Sequence, residues 1–387
     1  MKILVVLSRF PYPLEKGDKL RAYHQIRCLA KHHDIYLVAL HEQPVSDSDM
    51  QQLKPFCKEI FLLQQNIGQR CYNLAKAFFT GLPLQCGYFY TTHNQHRLDE
   101  IVHEVQPDHI YCQLIRMAEY VMDYPIKKTL DYQDVFSKGM LRRYEKAPWF
   151  KKPFFKMEYR RLARYEAQIF NRFDSKTIIT AVDRDLIPHE NKGDITVVPN
   201  GVDFEHFRYR GEPKTYDLIF SGNMNYAPNI DAAEYLAKEI FPLLKTTFPN
   251  LRLVLSGATP APSVKALANE NIIVTGWVDS MAEWYAKSKI FIAPMRLGTG
   301  LQNKLLEAMS MQLPCITSHL AGKPLENAET QGAIITCSTT SGYVEAIRRL
   351  LEDEAYYEKL SIAGNQYVNH NYDWVAATLK LENILNQ

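Results

Sequence analysis

The sequence has no apolar run near the roughly 18 to 20 residues that a membrane-spanning helix needs, so we expect any membrane contact to be peripheral. The apolar stretch at residues 3–7 is too short for a secretory signal and predicts a buried first strand. The seven cysteines are scattered, odd in number and form no C-x-x-C pair. This pattern argues against a disulfide framework or a cysteine zinc site and favours the reducing cytosol.

An excess of charge of one sign is also lacking. Lys and Arg number 45 and Asp and Glu 43, which leaves a net charge of +2. This balance gives no global reason to expect nucleic acid as a partner, so any basic function must be local. At 387 residues, 46% of them hydrophobic, the chain is long enough for two full-sized cores and is not expected to be disordered.

Short apolar runs alternate with amphipathic helical patterns along the whole chain. The first series of predicted strands covers residues 3–7, 35–40, 59–63, 109–112, 129–131 and 177–180. The second series covers residues 216–221, 251–256, 271–274, 290–293, 315–317 and 333–337. Strands that alternate with helices form parallel sheets covered on both faces. We therefore predict an α/β protein with two parallel-sheet domains.

A turn rich in Pro, Asn and Gly at residues 197–203 separates the two series of strands. We place the linker there and assign residues 1–198 to an N-terminal domain and residues 199–372 to a C-terminal domain. The final segment, residues 373–387, contains an amphipathic helix that we expect to return to the first domain. Parallel sheets bind ligands at the carboxyl ends of their strands, so the predicted site is the cleft between the domains.

A glycine loop joins the fourth strand of the second series to the helix that follows. Gly298 and Gly300 let the main chain approach a bound group, and the unpaired N–H groups of the first helical turn then point at that group. Arg296 before the loop and Lys304 in the helix supply positive charge, which suits an anion. Glu307, one turn later, can accept hydrogen bonds from hydroxyls. The pattern indicates a nucleotide diphosphate and its ribose.

Each of these residues also has a purely structural explanation. Gly-x-Gly before a helix is often only a tight turn, a surface Lys is usually solvated, and a Glu in an amphipathic helix is usually exposed. Leu301, Leu305 and Met309 recur at helical spacing as a buried face, whereas Lys304 and Glu307 lie off that stripe. The combination favours an anion site, although periodicity does not show that this side of the helix lines a cleft.

Four segments together resemble the retaining GT-B glycosyltransferases of family 4, namely PNGVD at 199–203, FSG at 220–222, GWV at 276–278 and GTGLQNKLLEAM at 298–309. The resemblance covers essentially the whole chain. It is strongest to a bacterial subgroup of sugar transferases with GDKLR at 17–21, GNMNY at 222–226 and GLQNK at 300–304, followed by LEAM at 306–309. The resemblance implies a GT-B fold, in which two Rossmann-like domains enclose an interdomain cleft.

Enzymes of this family bind a nucleotide sugar mainly on the C-terminal domain and an acceptor mainly on the N-terminal domain, and they need no metal. The resemblance therefore implies that Arg296 and Lys304 stabilise the leaving diphosphate and that Glu307 binds ribose hydroxyls. It places the donor against Gly17, Ser221, Gly222, Asn223, Trp277, Val278, Gly298, Thr299, Gly300, Leu301, Gln302 and Asn303, with main-chain groups at Trp277 and Val278 holding the base. On the acceptor side it places Asp18, Arg21 and Gln133.

The sequence departs from the family pattern at two places. The family commonly has two glutamates eight positions apart. Thr299 occupies the position of the first one and cannot carry its charge. The usual Arg and Lys after the first strand of the C-terminal domain are replaced around Asn223 and Asn229, so we expect Arg296 to take over part of their work. The similar bacterial subgroup shares both departures, which argues against simple decay of the site.

Gln133 and Asp134 follow a predicted strand at the place where many relatives have His-Asp near the sugar. We predict that Asp134 is the polar group nearest the reacting centre in this domain; capping of the helix that starts near Ser137 explains it equally well. Retention in this family is explained by attack of the acceptor hydroxyl on the face that the diphosphate leaves, with a phosphate oxygen taking the proton. Positioning and charge stabilisation then provide most of the rate acceleration.

The resemblance implies transfer of a sugar from a nucleotide sugar to a glycan or polyprenyl-linked acceptor in the assembly of bacterial surface polysaccharide or glycoconjugate. We expect a UDP-sugar in preference to a GDP-sugar, and no cofactor or metal. The protein is expected in the cytoplasm. The residues do not identify the sugar, the acceptor or the linkage.

A basic, aromatic segment lies at residues 138–164, with ten Lys and Arg against two acids, Glu145 and Glu158, and with six aromatic residues. That composition suits a helix on anionic lipid, at about 1 kcal/mol per basic residue near the surface, which would hold the protein at the inner face of the cytoplasmic membrane. Residues 71–90, with Phe78 and Phe79, are a second candidate. Inward-packed aromatics with a solvated basic face explain the segment almost as well, and no motif supports nucleic acid.

Three competing interpretations remain. Asp183 and Asp185 mimic the D-x-D motif of metal-dependent GT-A transferases, although an acidic pair that opens a helix is the simpler account. A GT-B-like sugar-nucleotide epimerase is a second enzyme class. The non-enzymatic interpretation, motivated by Thr299, is a nucleotide-binding partner subunit of a membrane glycan-assembly complex that has lost transfer.

Overall fold

The computed structural model describes residues 1–65, 67–298 and 300–386. The chain divides into two compact units. The first comprises Met1–Pro199 together with Trp374–Gln387, and the second comprises Asn200–Asp373. Each unit contains one parallel β-sheet with helices between successive strands, which confirms the predicted fold class.

The first unit contains a seven-stranded sheet. Its strands are β1 (Lys2–Leu7), β2 (Asp34–His41), β3 (Glu59–Gln64), β4 (His109–Gln113), β5 (Lys127–Asp131), β6 (Ser175–Ile178) and β7 (Thr196–Val197). They follow the order β3-β2-β1-β4-β5-β6-β7, and every pair is parallel. The central strand β1 is apolar from Ile3 to Leu7 because helices cover both faces of the sheet, with a separate hydrophobic core on each side.

The helices of this unit are α1 (Gly17–Leu29), α2 (Asp47–Leu53), α3 (Ile67–Thr80), α4 (Leu84–Gly87), α5 (Thr92–Val105), α6 (Ala118–Val121), α7 (Phe136–Lys146), α8 (Lys152–Phe170) and α9 (Ala181–Arg184). Short 3-10 turns occur at Ile115–Met117 and Lys192–Asp194. Residues of α1 and α2 belong to the core on one face of the sheet, and residues of α5 and α8 belong to the core on the other.

The second unit contains a six-stranded sheet made of β8 (Tyr216–Ser221), β9 (Leu253–Ser256), β10 (Ile272–Gly276), β11 (Ser288–Ala293), β12 (Cys315–Ser318) and β13 (Ile335–Cys337). The order is β10-β9-β8-β11-β12-β13, again all parallel. Its helices are α10 (Ala227–Tyr235), α11 (Phe241–Lys245), α12 (Pro262–Lys265), α13 (Met281–Ala286), α14 (Asn303–Ser310), α15 (His319–Gly322), α16 (Thr340–Glu352) and α17 (Glu354–Asn371). A π-helical turn, Leu236–Ile240, joins α10 to α11.

The last helix, α18 (Trp374–Leu385), packs on α1 in the first unit. The Trp374 indole stacks on the His24 ring at 4.8 Å between centroids. Ala377 and Leu381 lie in the same core as Ile26 of α1. The predicted helix at the end of the chain is therefore present and covers one face of the first sheet.

All twelve predicted strands are present, with ends that differ by a few residues. The sequence did not predict β7. Val197 lies in the predicted linker turn, and Thr196 lies just before it. Thr196 pairs with Thr177 of β6, so β7 extends the edge of the sheet. Two residues are too few to produce a periodic signal, and only the pairing with β6 defines this strand.

Strand order reverses once in each sheet, between β1 and β4 in the first unit and between β8 and β11 in the second. Connections on either side of such a point cross opposite faces of the sheet, which opens a crevice at the carboxyl ends of the two strands. These two places are where ligand sites are expected.

Candidate active site

The carboxyl end of β8 carries the first group of predicted donor residues. Ser221 ends the strand and is buried, Gly222 follows it, and Asn223 is exposed. The main-chain oxygen of Asn223 accepts a hydrogen bond from Asn229 Nδ2 at 2.9 Å, and its Oδ1 accepts one from Thr259 Oγ1 at 3.2 Å. These bonds tie the loop after β8 to α10 and to the loop after β9.

Two glycines allow the loops after β8 and β9 to touch. A Cβ on Gly257, whose φ is +141°, would lie 1.8 Å from the main-chain oxygen of Gly222. A Cβ on Gly222 would lie 2.9 Å from Lys304 Nζ. A side chain at either position would displace main chain or the ammonium group, so the site requires glycine at both.

Lys304 extends from the first turn of α14 into this group of residues. Its Nζ donates a hydrogen bond to Asn229 Oδ1 at 2.7 Å and lies 4.7 Å from the centroid of the Phe220 ring. Burial lowers the pKa of Lys304 to about 7, while the charge of nearby Glu307 acts to raise it. A bound anion would favour the ammonium form further, so protonation of Lys304 and anion binding support each other.

Glu307 is oriented by a chain of hydroxyl groups. Tyr285 Oη donates to Glu307 Oε2 at 3.3 Å and lies 2.6 Å from Ser221 Oγ. Because the single phenolic proton is directed to the carboxylate, Ser221 is the donor to Tyr285. Burial raises the pKa of Glu307 to about 7, and the Tyr285 hydrogen bond and the Lys304 charge oppose that rise.

The predicted glycine loop leads from β11 into α14. Gly298 and Gly300 have φ values of +98° and +79°, a backbone region that favours glycine. Thr299 lies outside the described residues. Gln302 Nε2 donates to the Gly300 oxygen at 3.3 Å, and Asn303 Oδ1 accepts from Asn200 Nδ2 at 3.1 Å. The partly buried Leu301 packs on the core of the unit, as its spacing predicted.

Arg296 is engaged away from the Lys304 group. Its guanidinium donates to both carboxylate oxygens of Asp231, at 3.1 and 2.9 Å, and Nη1 lies 3.6 Å from Glu239. The side chain also covers the Tyr235 ring at 4.3 Å. The sequence predicted an Arg296 charge available to an anion, whereas carboxylates of α10 and the π-helical turn neutralise it in this structure. A diphosphate role for Arg296 stays a prediction that would require this pairing to break.

Trp277 and Val278 follow β10, which lies two strands from β8. The two residues are therefore at the carboxyl ends of the strands, as is the loop after β8. Trp277 is 60% exposed and Val278 is partly buried. Gly276, which precedes them, has a φ of +71°, and its oxygen accepts a hydrogen bond from the Gly257 N–H at 3.1 Å. The indole is therefore available as an exposed aromatic surface near the loops after β8 and β9.

In the first unit, Gly17 begins α1 beside the point where strand order reverses. Asp18 forms an ion pair with Arg9 Nε at 3.3 Å. A recess at the ends of β1 and β4 is lined by Leu7, Ser8, Arg9, Asp18, Lys19, Ala22, Gln113 and Leu114. Gly17, which was predicted to contact the donor, and Asp18, which was predicted on the acceptor side, lie at the carboxyl ends of the strands of the first unit.

Arg21 does not lie on the acceptor side, which corrects the sequence prediction. Its side chain is fully buried, and Nε and Nη2 donate to Asp131 at 2.7 and 3.1 Å. Nη1 donates to the Val198 oxygen at 2.9 Å, and Tyr111 Oη donates to the same carboxylate at 3.1 Å. Arg21 is on the face of α1 that packs on the sheet. It connects α1 to Asp131 of β5 and to Val198, and it is not exposed to a ligand.

Gln133 and Asp134 follow β5. Gln133 has a φ of +60° and is buried, and its Nε2 has no hydrogen-bond partner among the described residues. Asp134 Oδ1 accepts from the Val135 N–H at 2.7 Å. The helix that follows is capped from α8, where Glu166 Oε1 accepts from the Ser137 N–H at 3.0 Å. The side chain of Asp134 therefore binds its own turn, and Glu166 performs the capping proposed for Asp134.

Three further residues join these groups without having been assigned a site role. Asn229 and Tyr285 hold Lys304 and Glu307, as described above. In the first unit, Arg116 follows β4, and its guanidinium lies 4.7 Å from the Phe136 ring centroid. Burial lowers the pKa of Arg116, whereas the charges of Asp18 and Asp134 act to raise it. The charges of Asp18 and Asp134 both act on Arg116, whereas Asp18 is paired directly with Arg9.

The D-x-D-like pair has a local role. Thr180 Oγ1 donates to Asp183 Oδ2 at 2.6 Å and accepts from the Asp183 N–H at 3.0 Å, which closes the first turn of α9. Asp185 Oδ1 accepts from Arg184 at 3.1 Å. Across residues 1–65, 67–298 and 300–386, no three His, Cys, Asp or Glu side chains are grouped to hold a metal ion.

The basic segment 138–164 forms most of α7 and α8 and the connection between them. Trp149, Phe150 and Phe154 are exposed by 83%, 61% and 48%, whereas Phe155 and Tyr159 pack against the core. The inward-packing explanation thus holds for only part of the segment. In the part of the chain that the structure describes, no helix is both long and apolar enough to span a bilayer.

Comparisons with known proteins agree with the fold. Residues 215–353 match the family described as "Glycosyl transferases group 1". The chain is 23% identical over 330 residues to an uncharacterized 44.6 kDa protein in the cps region of Klebsiella pneumoniae, covering 80% of each chain. It is 23% identical over 216 residues to a phosphatidyl-myo-inositol mannosyltransferase of Propionibacterium freudenreichii, covering 54% of each.

Among solved structures, HepE of Anabaena in complex with UDP-glucose superimposes with a TM-score of 0.71 at 12% identity. The match covers 100% of this chain and 99% of HepE. Its low identity makes it a statement about fold alone, and it extends over both units. The paired parallel sheets exclude the GT-A interpretation. Residues 215–353 thus match a glycosyltransferase family, and the chain as a whole has the GT-B fold.

Proposed function

We propose that this chain transfers a sugar, with retention of anomeric configuration and without a metal ion, from a nucleotide sugar to a glycan or polyprenyl-linked acceptor. The observation that carries the proposal is the position of Lys304 Nζ. It is held by Asn229 Oδ1 and lies against Gly222 at the carboxyl end of β8. This gives one cation beside main-chain groups at the crevice where such sheets bind phosphates.

The chemistry requires stabilisation of the leaving diphosphate. The bond between C1 of the sugar and the phosphate oxygen breaks, the acceptor oxygen bonds to C1 on the same face, and the acceptor proton passes to a phosphate oxygen. Negative charge grows on the diphosphate as the bond breaks, and ammonium Lys304 and the N–H groups that begin α14 stabilise that charge. No protein base is needed in this mechanism.

Glu307 and Trp277 complete the donor site in this proposal. The carboxylate of Glu307, oriented by Tyr285, accepts hydrogen bonds from ribose hydroxyls. The exposed Trp277 and the main chain at Val278 hold the base, with Ser221, Gly222, Asn223 and residues 298–303 around the phosphates and sugar. The UDP-glucose complex of HepE supports a UDP-sugar in preference to a GDP-sugar.

The first unit is proposed to bind the acceptor. Asp134 and Gln133 at the end of β5 contact the sugar that reacts, Gly17 contacts the donor, and Asp18 contacts the acceptor. Arg116 supplies positive charge for a phosphate-bearing acceptor, because it lies within electrostatic reach of Asp18 and Asp134. The activity of the Propionibacterium relative on phosphatidyl-myo-inositol and the cps location of the Klebsiella relative support a membrane-borne or polysaccharide acceptor in surface glycan assembly.

We also propose that the basic segment 138–164 contacts an anionic membrane surface at the cytoplasmic face. Three exposed aromatic side chains among ten basic residues support this proposal. Such a contact would bring the enzyme to a lipid-linked acceptor.

The test combines binding and turnover. Thermal shifts with UDP, GDP, CDP and ADP and their sugars identify the donor, since a ligand at 100 times its Kd stabilises by about 2.7 kcal/mol. The preferred donor is then incubated with a membrane-glycan extract in excess chelator, and the product anomer is determined by NMR. We expect transfer with retention, and loss of activity in chelator would contradict metal independence.

The same assay separates the alternatives. An epimerase would convert the nucleotide sugar without an acceptor. A partner subunit without transferase activity would bind the nucleotide and give no product with any extract.

A further inference from the structure

Two segments that are separate in the sequence form one surface on the first unit. Arg161 of α8 donates from Nη1 to the Ala77 oxygen at 3.2 Å and from Nη2 to the Phe78 oxygen at 2.8 Å. Its guanidinium also lies 5.5 Å from the centroid of the Phe78 ring. These contacts fix the carboxyl end of α3 against α8, so the candidate segments 71–90 and 138–164 are neighbours.

A cavity of about 650 Å³ lies between α3 and α8. Its interior includes apolar side chains, among them Ala77, Pro83 and Ile169, which are buried. A second recess, lined by Lys156, Arg160, Arg161 and Arg164 together with Gly81, Pro153 and Met157, shares residues with the first and extends it along α8. The combined site contains apolar side chains together with polar ones such as Asn73 and Gln168, and it has a cationic rim.

The rim has a large excess of positive charge. Lys76, Lys156, Arg160 and Arg164 are exposed, and none of them has an ion-pair partner within the described chain. Arg172, which also lines the cavity, pairs with Asp123.

The acidic residues nearby reduce this charge little. Glu158 is turned inward, where it accepts from the N–H groups of Leu84 and Gln85 at 3.1 and 3.3 Å and caps α4. Glu119 lines the cavity, and burial raises its pKa. Among the described residues, neither Glu119 nor Glu158 forms an ion pair with the four exposed cations, which are available to an anion.

Exposed aromatic side chains lie on α3 and on the α7–α8 region, the segments that also provide much of the cavity lining. Six of the eight large aromatic residues that are exposed in the described chain belong to α3 or to the α7–α8 region, namely Tyr72, Phe78, Phe79, Trp149, Phe150 and Phe154. Phe79 and Trp149 are the most exposed, at 86% and 83%. Aromatic rings grouped next to Lys and Arg are typical of surfaces that enter the interfacial region of a bilayer.

We infer that this cavity, the α3–α8 cavity, binds the headgroup and first carbons of an anionic phospholipid while the exposed aromatic rings of α3 and of the α7–α8 region enter the bilayer interface. A free inorganic anion would use the cations but not the apolar interior, whereas a phospholipid matches both. The inference rests on the membrane contact proposed for residues 138–164 and adds a defined headgroup site to it. It does not depend on the donor site.

The experiment separates headgroup binding from bilayer binding. The full-length protein is titrated calorimetrically with dihexanoyl phosphatidylglycerol below its micelle concentration and, in parallel, with dihexanoyl phosphatidylcholine and inorganic phosphate. Binding to vesicles of phosphatidylcholine with and without phosphatidylglycerol is measured by flotation. The cavity variant is Lys76→Gln with Arg164→Gln, and the rim variant is Phe79→Ser with Trp149→Ser. The control is Lys31→Gln with Lys54→Gln, exposed residues next to α1 and α2.

We expect the short-chain phosphatidylglycerol to bind and the other two soluble probes to bind at least about tenfold more weakly. The cavity variant should lose at least about tenfold in affinity for this lipid, because it removes two charged contacts. The rim variant should keep that affinity but lose vesicle binding, and the control should behave as wild type. All variants should retain UDP binding.

Several results would overturn the inference. Vesicle binding without short-chain lipid binding, or an unchanged cavity variant, would remove the headgroup site and leave the membrane contact. Failure of the wild type to bind either vesicle would contradict both the headgroup site and the membrane contact. Equal binding of short-chain phosphatidylglycerol and inorganic phosphate would indicate a basic surface that does not recognise the lipid, and would overturn the headgroup site.

Discussion

The Nζ of Lys304 lies 2.7 Å from Oδ1 of Asn229. An amide oxygen accepts a hydrogen bond from the ammonium but carries no charge to neutralise it. Asn229 therefore positions the Lys304 charge without cancelling it, and the charge of Glu307 acts to keep Lys304 protonated. Arg296 shows the opposite arrangement, since Asp231 accepts two hydrogen bonds from it. This contrast makes Lys304 the residue on which diphosphate binding should depend most.

Replacement of Lys304 by Ala should weaken UDP binding by about 10- to 150-fold, the equivalent of about 1.5–3 kcal/mol for a hydrogen bond to a charged group. Calorimetric titration measures this loss. Arg296→Ala is the matched control, because it also removes one cation from the second unit, and we expect a smaller change. An equal loss in both variants would show that the Arg296 pairing breaks when the nucleotide binds.

The affinity for UDP should depend on pH through Lys304. Its folded-state pKa is lowered to about 7, so the free protein loses this ammonium as the pH rises through 7. The anion binds the protonated form, and affinity should therefore fall by about tenfold for each pH unit above 7 until the pKa of the complex is reached. Titrations between pH 7 and 9 in buffers of different ionisation enthalpy should show proton uptake.

Two variants test the origin of that dependence. Lys304→Arg keeps its charge throughout this range, so its affinity should be nearly constant. Glu307→Gln removes the other group whose pKa is shifted to about 7 and should retain the slope. A slope that disappears in Glu307→Gln and persists in Lys304→Arg would assign the titration to the carboxyl group instead.

Asn229→Asp should move the pH dependence without removing the site. A carboxylate next to Nζ favours the ammonium and raises the pKa of Lys304, so affinity should be maintained to higher pH. At neutral pH the new charge should weaken UDP binding, because it competes with the diphosphate for Lys304. Asn229→Ala supplies the comparison, since it removes the hydrogen-bond acceptor of Lys304 without adding charge. It should weaken UDP binding, and its pH profile should not move to higher pH.

Tyr285→Phe should weaken nucleoside binding by about 2- to 10-fold, because it removes a hydrogen bond worth about 0.5–1.5 kcal/mol. Glu307 would lose its orienting donor, and its pKa should rise further. The measurement compares uridine with UDP, and the affinity loss should appear in both. Tyr343→Phe removes a hydroxyl from another buried tyrosine of the same unit and should leave both affinities near wild type.

Arg21→Ala should destabilise the first unit by about 3–5 kcal/mol, because it leaves the buried Asp131 without its cation. Urea unfolding measures this change.

Arg116→Gln should reduce transfer to a phosphate-bearing acceptor with little effect on UDP affinity. Retained stability in Arg21→Ala together with lost acceptor use would restore Arg21 to the acceptor side.

The sheets were predictable because buried parallel strands carry their own signal, and all twelve apolar runs became strands. The direction in which a helical side chain points was harder to predict from the sequence. Asp18 and Arg21 are close on α1, yet one borders a recess and the other joins Asp131, 110 residues away. No local pattern distinguishes the two, because the packing of α1 on β5 decides it.

The same limit applies to the donor site. Glycine loop, Lys304 and Glu307 are contiguous in the sequence and could be recognised together. Asn229 and Tyr285 are 75 and 22 residues from the groups they hold. Their involvement follows from the adjacency of β8 and β11 and from helix packing. Residues in such supporting positions have ordinary polar identities, and only the fold reveals them.

The return of α18 to the first unit has a consequence for biosynthesis. A ribosome delivers β1 and α1 before the helix that covers α1, and the whole of Asn200–Asp373 lies between them in the chain. Until α18 has been synthesised, the apolar surface around Ile26 and the thiol of Cys28, which is buried in the folded protein, lack this cover. The nascent first unit thus exposes apolar surface while the second unit is being synthesised.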